Sequence, residues 1–266
     1  MEGAVSASPR AYAIGDFLVP MLVIGTSLAA WETTAQMRLI NPFLLPALSD
    51  VVVRIGQDVG SGVVIVDLAL TLYRALSGFA IAAVIGIPLG ILMARAATFH
   101  WFFDPLISAG FPMPKIAFLP IFVLWFGLFD ASKIIMVAFS SVFPVVSAAY
   151  AGTQGVSKWP LWSARSLGAT ERELLWEVIL PMALPQILTG LQIALPVALI
   201  TTVVTEMLMS GKGIGGSMIN AGRFADSVGV FAGIVEIAMV GFVAIRAVEM
   251  IRRRLLAWHA EARVEA

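Results

Sequence analysis

The stretch that decides the fold reads Leu161-Trp162-Ser163-Ala164-Arg165-Ser166-Leu167-Gly168-Ala169-Thr170, then Glu171 to Glu177, then Val178-Ile179-Leu180-Pro181. It is the one long segment in which charged residues are concentrated between two very apolar runs. Thr170 is an N-cap candidate, and Glu171 and Glu173 fall in the first helical turn, where the helix dipole favours carboxylates. Pro181 and Pro185 are predicted to end the pattern. These residues predict a compact polar elbow of two short helices, although an ordinary surface helix of a loop would show the same pattern.

The composition indicates a membrane protein independently of the elbow. Hydrophobic residues make up 59% of the chain and charged residues only 13%, and the mean hydropathy is +0.93. Soluble domains are roughly a quarter charged. The chain contains no Cys, which excludes disulfides, thiol catalysis and thiolate metal sites, so redox chemistry gives no information on the compartment.

Apolar runs of about twenty residues predict the membrane spans. Six such runs lie at Phe17 to Gln36, Leu70 to Met93, Pro105 to Phe126, Ile134 to Ala151, Ile187 to Met209 and Val230 to Met250. The third run is interrupted by Pro112, Pro114 and Pro120. Such breaks are tolerated where protein or a water-filled cavity satisfies the backbone, so this span either lines a pathway or contains a simple packing kink.

Lys and Arg in the short loops set the expected orientation. With both termini inside, the cytoplasmic cations are Arg10, Arg95, Lys158, Arg165, Arg172, Arg246, Arg252, Arg253, Arg254 and Arg263. The outer cations are Arg38, Arg54, Lys133, Lys212 and Arg223. The cytoplasmic excess places both termini and the elbow in the cytosol.

The first span is expected to be retained rather than removed as a signal peptide. Ser27-Leu28-Ala29 offers the small residues that a signal peptidase requires. However, Met1 to Asp16 has no basic cluster and carries Glu2 and Asp16. The segment after this span is then an outer loop with a short amphipathic stretch from Leu48 to Val59.

Small residues recur every four positions on the second span. They are Gly78, Ala82, Gly86, Gly90 and Ala94. A helix face with almost no side chains lets another backbone approach closely. Packing within the subunit is the favoured use of this face, and a seam between two copies is the alternative.

The order of residues in the elbow resembles the cytoplasmic coupling loop of importer-type ABC permeases. That loop has a Glu-Ala-Ala start, a Gly shortly after it, and an Ile-x-Leu-Pro end. Here Trp162-Ser163 stands in place of Glu-Ala, followed by Ala164, Gly168 and the end Val178, Leu180 and Pro181. The likeness covers about Asp67 to Trp258 and includes Gly78-Phe79, Gly86-Ile87-Pro88-Leu89-Gly90, Asp104-Pro105-Leu106, Pro114-Lys115, Leu119-Pro120, Trp125-Phe126-Gly127, Phe143-Pro144, Thr189-Gly190-Leu191 and Glu206. These motifs resemble the permease branch of nitrate, sulfonate, taurine and thiamine-precursor importers.

The resemblance implies an all-α integral membrane protein with six transmembrane helices, a type I ABC importer permease fold with a cytoplasmic coupling helix. It implies one domain over residues 1–266, with a coupling loop at about 152–186, in the bacterial inner membrane. The implied ATPase-coupling residues are Ser163, Ala164, Arg165, Ser166, Leu167, Gly168, Ala169, Thr170 and Glu171.

The same resemblance implies the partners and the cargo. The partners are ABC ATPase subunits, an extracytoplasmic solute-binding protein, a second permease copy in a homodimer and the membrane lipid, with no nucleic acid. The cargo is a small organic or inorganic oxyanion such as a sulfonate, taurine or nitrate, and a pyrimidine-like vitamin precursor is the alternative.

A nucleotide site within this chain is not expected. Gly211-Lys212-Gly213-Ile214-Gly215-Gly216 formally contains G-x-G-x-x-G, but no buried strand precedes it and no Ser or Thr follows Lys212. An outer gate or turn is the favoured use of this segment. ATP and Mg are therefore expected on a partner ATPase. His100 and His259 are isolated, so neither a metal site nor an enzyme is predicted.

The fifth span contains the candidate pathway or gate residues Thr202, Thr205 and Glu206, which join Pro114 and Lys115 from the third. An acidic side chain at membrane depth usually faces a bundle interior or an aqueous cavity. Interfacial solvation or a structural hydrogen bond would also explain Glu206, and its charge would repel an anionic substrate. An alternative from a different functional class is an ion-coupled secondary transporter with Glu206 and Asp67 as proton carriers. Such a transporter would work without an ATPase.

Overall fold

The structure, a computed structural model, describes residues 9–209 and 211–258. Within these ranges all regular elements are helices. They are α1 Pro9–Gln36, α2 Leu48–Ser61, α3 Val63–Arg95, α4 Ala97–Gly110, α5 Leu119–Phe126, α6 Asp130–Gln154, α7 Lys158–Ser166, α8 Glu171–Glu173, α9 Leu180–Met209, α10 Ile214–Arg223 and α11 Ser227–Leu255. A 3₁₀ turn at Lys115–Phe118 precedes α5, and a π-helical turn at Leu174–Ile179 joins α8 to α9.

Five of the described helices are long and apolar enough to cross a membrane, and a sixth span results if one bent pair is counted as a unit. The bent pair is Ala97–Gly110 with Lys115–Phe126, whose axes differ by 101°. The break falls at Pro112 and Pro114, where Pro removes backbone donors and favours extended conformations before it. With the bent pair counted as one span, the six predicted spans are confirmed, and the third is irregular as predicted.

Helices α3, α6 and α9 form the tightly packed centre of the bundle. A Cβ atom built on Gly78 would lie 2.6 Å from the Cβ of Val137 on α6, and one on Gly90 would lie 2.6 Å from the Cβ of Ala149. Towards α9, a Cβ on Gly152 of α6 would lie 2.8 Å from the Cβ of Gln186. The small-residue face of the second predicted span is therefore used for packing within the subunit.

The remaining helices surround this centre. Side chains of α1 from Leu18 to Ile24 are mostly exposed. The amphipathic stretch predicted after α1 is α2, whose Arg54 pairs with Asp58 and with Asp226 at the start of α11, at 3.0 and 2.9 Å. His259 lies outside the described residues.

One helix boundary differs from the sequence prediction. Pro181 and Pro185 do not end the second elbow helix, because Glu171–Met209 continues through both prolines as one helix of 39 residues. The π-helical turn at Leu174–Ile179 lies directly before Pro181. Its widened hydrogen-bond spacing gives the proline ring room that a regular α-helical turn would not provide. The elbow is thus one short helix and the first turns of a long one.

Candidate functional site

The elbow consists of α7, a turn at residues 167–170 and the beginning of α8. Thr170 caps α8 in a reciprocal capping box: its Oγ1 accepts from the Glu173 amide at 3.3 Å, and Glu173 accepts from the Thr170 amide at 2.7 Å. This arrangement satisfies two of the otherwise unpaired backbone donors at the helix start. The predicted N-cap is confirmed, and the turn is set by local sequence.

Gly168 allows the chain to reverse between α7 and α8. Its φ is +88°, a left-handed conformation that side chains with a Cβ rarely adopt. The Ala169 amide donates to the Ala164 carbonyl at 3.1 Å and closes the end of α7. A Cβ at Gly168 would meet no atom within 4 Å, so the backbone conformation, rather than crowding, selects glycine here.

Two ion pairs orient the elbow relative to the bundle. Glu171 accepts from Arg165 of α7 at 2.9 Å and from Arg95, the last residue of α3, at 2.5 Å. The Glu171 side chain is 64% exposed, and exposed pairs of this kind contribute little to stability. The two ion pairs instead fix the position of the elbow, because they link both elbow helices to the end of α3.

The surface of the elbow carries an exposed apolar and aromatic patch. Trp159, Trp162 and Leu167 are 75%, 54% and 87% exposed, and the two Trp rings pack edge to face with centroids 5.4 Å apart. The predicted coupling residues from Ser163 to Glu171 lie on this same surface, with Ala164 and Ala169 half-buried. Trp159 was not predicted as a coupling residue from the sequence, although its spacing of three from Trp162 places the two side chains on one helix face.

Glu206 lies at the opposite end of the bundle and is completely buried. Its carboxylate accepts from Arg74 Nη1 at 2.6 Å, from Thr71 Oγ1 at 2.9 Å and from the Gly215 amide at 3.1 Å. Charge-assisted hydrogen bonds of this kind are the strong ones in a low-dielectric interior. Of the two structural explanations considered for Glu206, hydrogen bonding to a neighbouring helix fits this geometry and interfacial solvation does not.

Arg74 connects this site to a third helix and to a turn. It pairs with Asp130 at the start of α6 at 2.6 Å and donates to the carbonyl of Lys212 at 2.7 Å. Arg74 is only 3% exposed. Sequence reasoning missed it, although a cation inside an apolar span is the signal that could have identified it, since such residues are usually paired.

The glycine-rich segment after α9 is fixed by the same cluster. The Gly213 amide donates to Asp67 at 2.9 Å, and the Ile214 amide donates to Thr71 Oγ1 at 3.0 Å. Ser217 also donates to Asp67. The segment is therefore a turn followed by α10, and it carries no strand–turn–helix arrangement for phosphate binding. We call Asp67, Thr71, Arg74, Asp130 and Glu206 the polar cluster.

The other predicted pathway residues fall in two places, on α9 and at the break between α4 and α5. Thr202 and Thr205 are fully buried, and their hydroxyls donate to carbonyls of their own helix at 2.8 Å. Pro114 is exposed at the break between α4 and α5. Lys115 donates to the Phe111 carbonyl at 2.7 Å. The structure joins Glu206 to the polar cluster, and a pathway role for the five residues stays a prediction.

No group of three or more His, Asp or Glu side chains that could hold a metal occurs within residues 9–209 and 211–258. His100 stacks on Tyr150 with ring centroids 5.3 Å apart.

Comparison with known proteins identifies similar chains. The family described as "Binding-protein-dependent transport system inner membrane component" matches residues 86–257. The taurine transport system permease protein TauC of Escherichia coli (strain K12) is 37% identical over 248 residues, which cover 90% of each chain. The putative aliphatic sulfonates transport permease protein SsuC of Bacillus subtilis (strain 168) is 32% identical and covers 91% of this chain and 86% of its own.

Two further matches bear on the cargo and on the fold. The formylaminopyrimidine transport permease protein ThiX of Halalkalibacterium halodurans is 32% identical, over 91% of this chain and 96% of its own. The inward-facing MetNI methionine ABC transporter has a chain that superposes with a TM-score of 0.64 at 16% identity, over 73% of this chain and 96% of that one. The fold is thus that of ABC importer permeases.

Proposed function

Because the chain belongs to the family of binding-protein-dependent transport system inner membrane components, and is a multi-pass ABC importer permease, we propose that it forms the translocation pathway for a small oxyanion. Taurine or an aliphatic sulfonate is the first candidate. The observation that carries this proposal is the 37% identity to a taurine permease over 90% of both chains. The pyrimidine permease match is lower, at 32%, and keeps a pyrimidine-like cargo as the second candidate.

In this proposal the elbow is the docking surface for a separate ABC ATPase, which binds ATP and Mg. The exposed Trp159, Trp162 and Leu167 support this role, because exposed apolar patches on an otherwise polar surface usually mark interaction sites. ATP-driven closure of two ATPases brings two elbows together in a homodimer. The long helices convert that movement into alternating access.

The orientation follows the same proposal. The elbow and both termini lie in the cytosol, and the polar cluster lies at the outer end of the bundle. An extracytoplasmic solute-binding protein delivers the cargo there and supplies most of the substrate selection. The chain itself carries out no chemistry.

The pairing of Glu206 with Arg74 removes an objection to an anionic cargo. An unpaired carboxylate at the outer end would repel a sulfonate, but the arginine compensates this charge at 2.6 Å. Glu206 then acts as part of an outer gate by holding the 211–216 turn against α3. A proton-carrying role is less well supported, because the carboxylate is enclosed by three hydrogen-bond donors.

Reconstitution tests the proposed function. Proteoliposomes that contain the permease, its ATPase and its binding protein are expected to take up radiolabelled taurine only when ATP is present. Uptake should stop when the ATPase loses its catalytic carboxylate, and the permease alone should hydrolyse no ATP. Uptake driven by a proton gradient without any ATPase would instead establish a secondary transporter. Uptake of a formylaminopyrimidine but not taurine would establish the second cargo.

Gly168→Leu is expected to abolish most ATP-driven uptake while the membrane bundle stays folded. The left-handed conformation at this position costs a residue with a Cβ about 1–2 kcal/mol, so the elbow should change shape before the distant helices do. Gly168→Asn is the matched control, because Asn tolerates this conformation. The measurements are uptake, ATPase activity and melting temperature; full uptake by the Leu variant would show that the elbow geometry is not required.

A further inference from the structure

Lys133 is a buried cation that the polar cluster does not use. It lies in the first turn of α6 and is 3% exposed. Within the part of the chain that the structure describes, its ammonium group has no hydrogen-bond or ion-pair partner. The nitrogen is not among the fully buried polar atoms that lack a partner, so solvent reaches an ammonium group whose hydrocarbon chain is buried.

The nearby carboxylates are already engaged. Glu206 and Asp130 lie close enough to Lys133 to interact with it electrostatically. Both direct an oxygen to Arg74 instead, each at 2.6 Å. Lys133 therefore has acceptors in its neighbourhood but none at bonding distance, and its hydrogen-bonding capacity is open to a group from outside the chain.

The ammonium group of Lys133 lies beside an exposed turn. A Cβ built on Gly211 would have one neighbour within 4 Å, the Lys133 Nζ at 3.8 Å. Gly211 and Lys212 are both exposed. Gly211 thus places no side chain against Nζ, while the exposed Lys212 adds a second positive charge to the same turn.

We propose that Lys133 and the Gly211–Lys212 turn form an oxyanion subsite at the outer end of the permease, which receives the sulfonate or sulfate-like group of the cargo. The inference rests on the proposed function for its substrate class. The oxygens of a compact anion are strong acceptors for the charged N–H donors of an ammonium group. The anion replaces solvent as the acceptor for Lys133, and the polar cluster beside it stays intact because Arg74 already compensates Glu206.

Lys133→Gln tests the subsite in the assembled transporter. At a saturating concentration of taurine-loaded binding protein, the uptake rate of radiolabelled taurine is expected to fall at least about tenfold. The ATPase activity without binding protein should be unchanged. Lys133→Arg should restore at least half of the uptake, since it restores the cation. Arg223→Gln, which removes an exposed cation from α10, should behave as the original protein. Unchanged uptake by Lys133→Gln in a folded complex would overturn the proposal.

Lysine labelling tests binding without transport and without a variant. The assembled complex is reductively methylated in gluconate buffer with or without ethanesulfonate, and the modified lysines are quantified by mass spectrometry. Ethanesulfonate is expected to slow modification of Lys133 at least about fivefold and to leave Lys158 unaffected.

Equal protection by chloride would mean an adventitious ion only. Absence of labelling or of protection would exclude an accessible subsite. Each of these results overturns the proposal. Protection of Lys133 in a complex that transports no sulfonate would reject the proposed cargo and keep the subsite.

Discussion

Arg74→Met is expected to lower the stability of the folded permease by about 3–5 kcal/mol, because it leaves Glu206 as a buried and uncompensated charge. Arg74 is 3% exposed and Glu206 is completely buried, so water cannot replace the lost ion pair. Arg74 also holds Asp130 and the Lys212 carbonyl, and their loss should release the turn that leads into α10. The measurements are the melting temperature in detergent and the abundance in membranes.

Two variants separate the ion pair from general damage. Arg223→Met removes an exposed cation of the same size and is expected to change stability by less than about 0.5 kcal/mol. The double variant Arg74→Met with Glu206→Gln removes the unpaired charge and should recover part of the loss. If Arg74→Met melted at the same temperature as the Arg223 variant, the polar cluster would not stabilise the fold.

Gly90→Leu is expected to prevent α3 and α6 from packing and to lower the stability of the folded protein by about 3 kcal/mol, the upper end of the usual cost of overpacking. A Cβ at this position would lie 2.6 Å from the carbonyl oxygen of Val146 and 2.8 Å from the amide nitrogen of Tyr150. Backbone atoms inside a helix cannot move aside as a flexible side chain can. The readouts are melting temperature and the fraction of monodisperse protein after extraction.

The control for this substitution is Gly56→Leu. Gly56 lies in α2, and a Cβ built there would meet no atom within 4 Å. The same change in volume should therefore be tolerated, and the higher helix propensity of Leu should offset part of any added exposure. Similar losses for both variants would show that close approach of α3 to α6 does not decide stability.

Much of this architecture could be predicted because it depends on local pattern. Apolar runs predicted six spans, a four-residue repeat of small residues predicted the close face of α3, and Thr170 predicted the helix start. The break near Pro114 was also evident, since proline acts on its own turn. These features need only neighbouring residues to be recognised.

The features that were missed depend on contacts between distant residues. Arg74 and Glu206 are 132 residues apart, so neither position alone reveals the other. The continuation of the helix through Pro181 was missed for another reason, since a widened turn has no simple residue pattern. Lys133 was counted as an ordinary loop cation because its burial results from the packing of α3, α6 and the turn after α9.

The continuous helix Glu171–Met209 connects the elbow to the polar cluster, so its length amplifies a tilt at the elbow. Its 39 residues at 1.5 Å per residue span about 58 Å, with the elbow at one end and Glu206 near the other. If the helix tilts as a rigid rod about its elbow end, its far end moves by about 1 Å for each degree of tilt. With the ATPase docked at the elbow as proposed, a rotation of a few degrees there would exceed the tolerance of the 2.6 Å ion pair between Arg74 and Glu206. Small movements at one end of the helix would then suffice to open hydrogen bonds at the other.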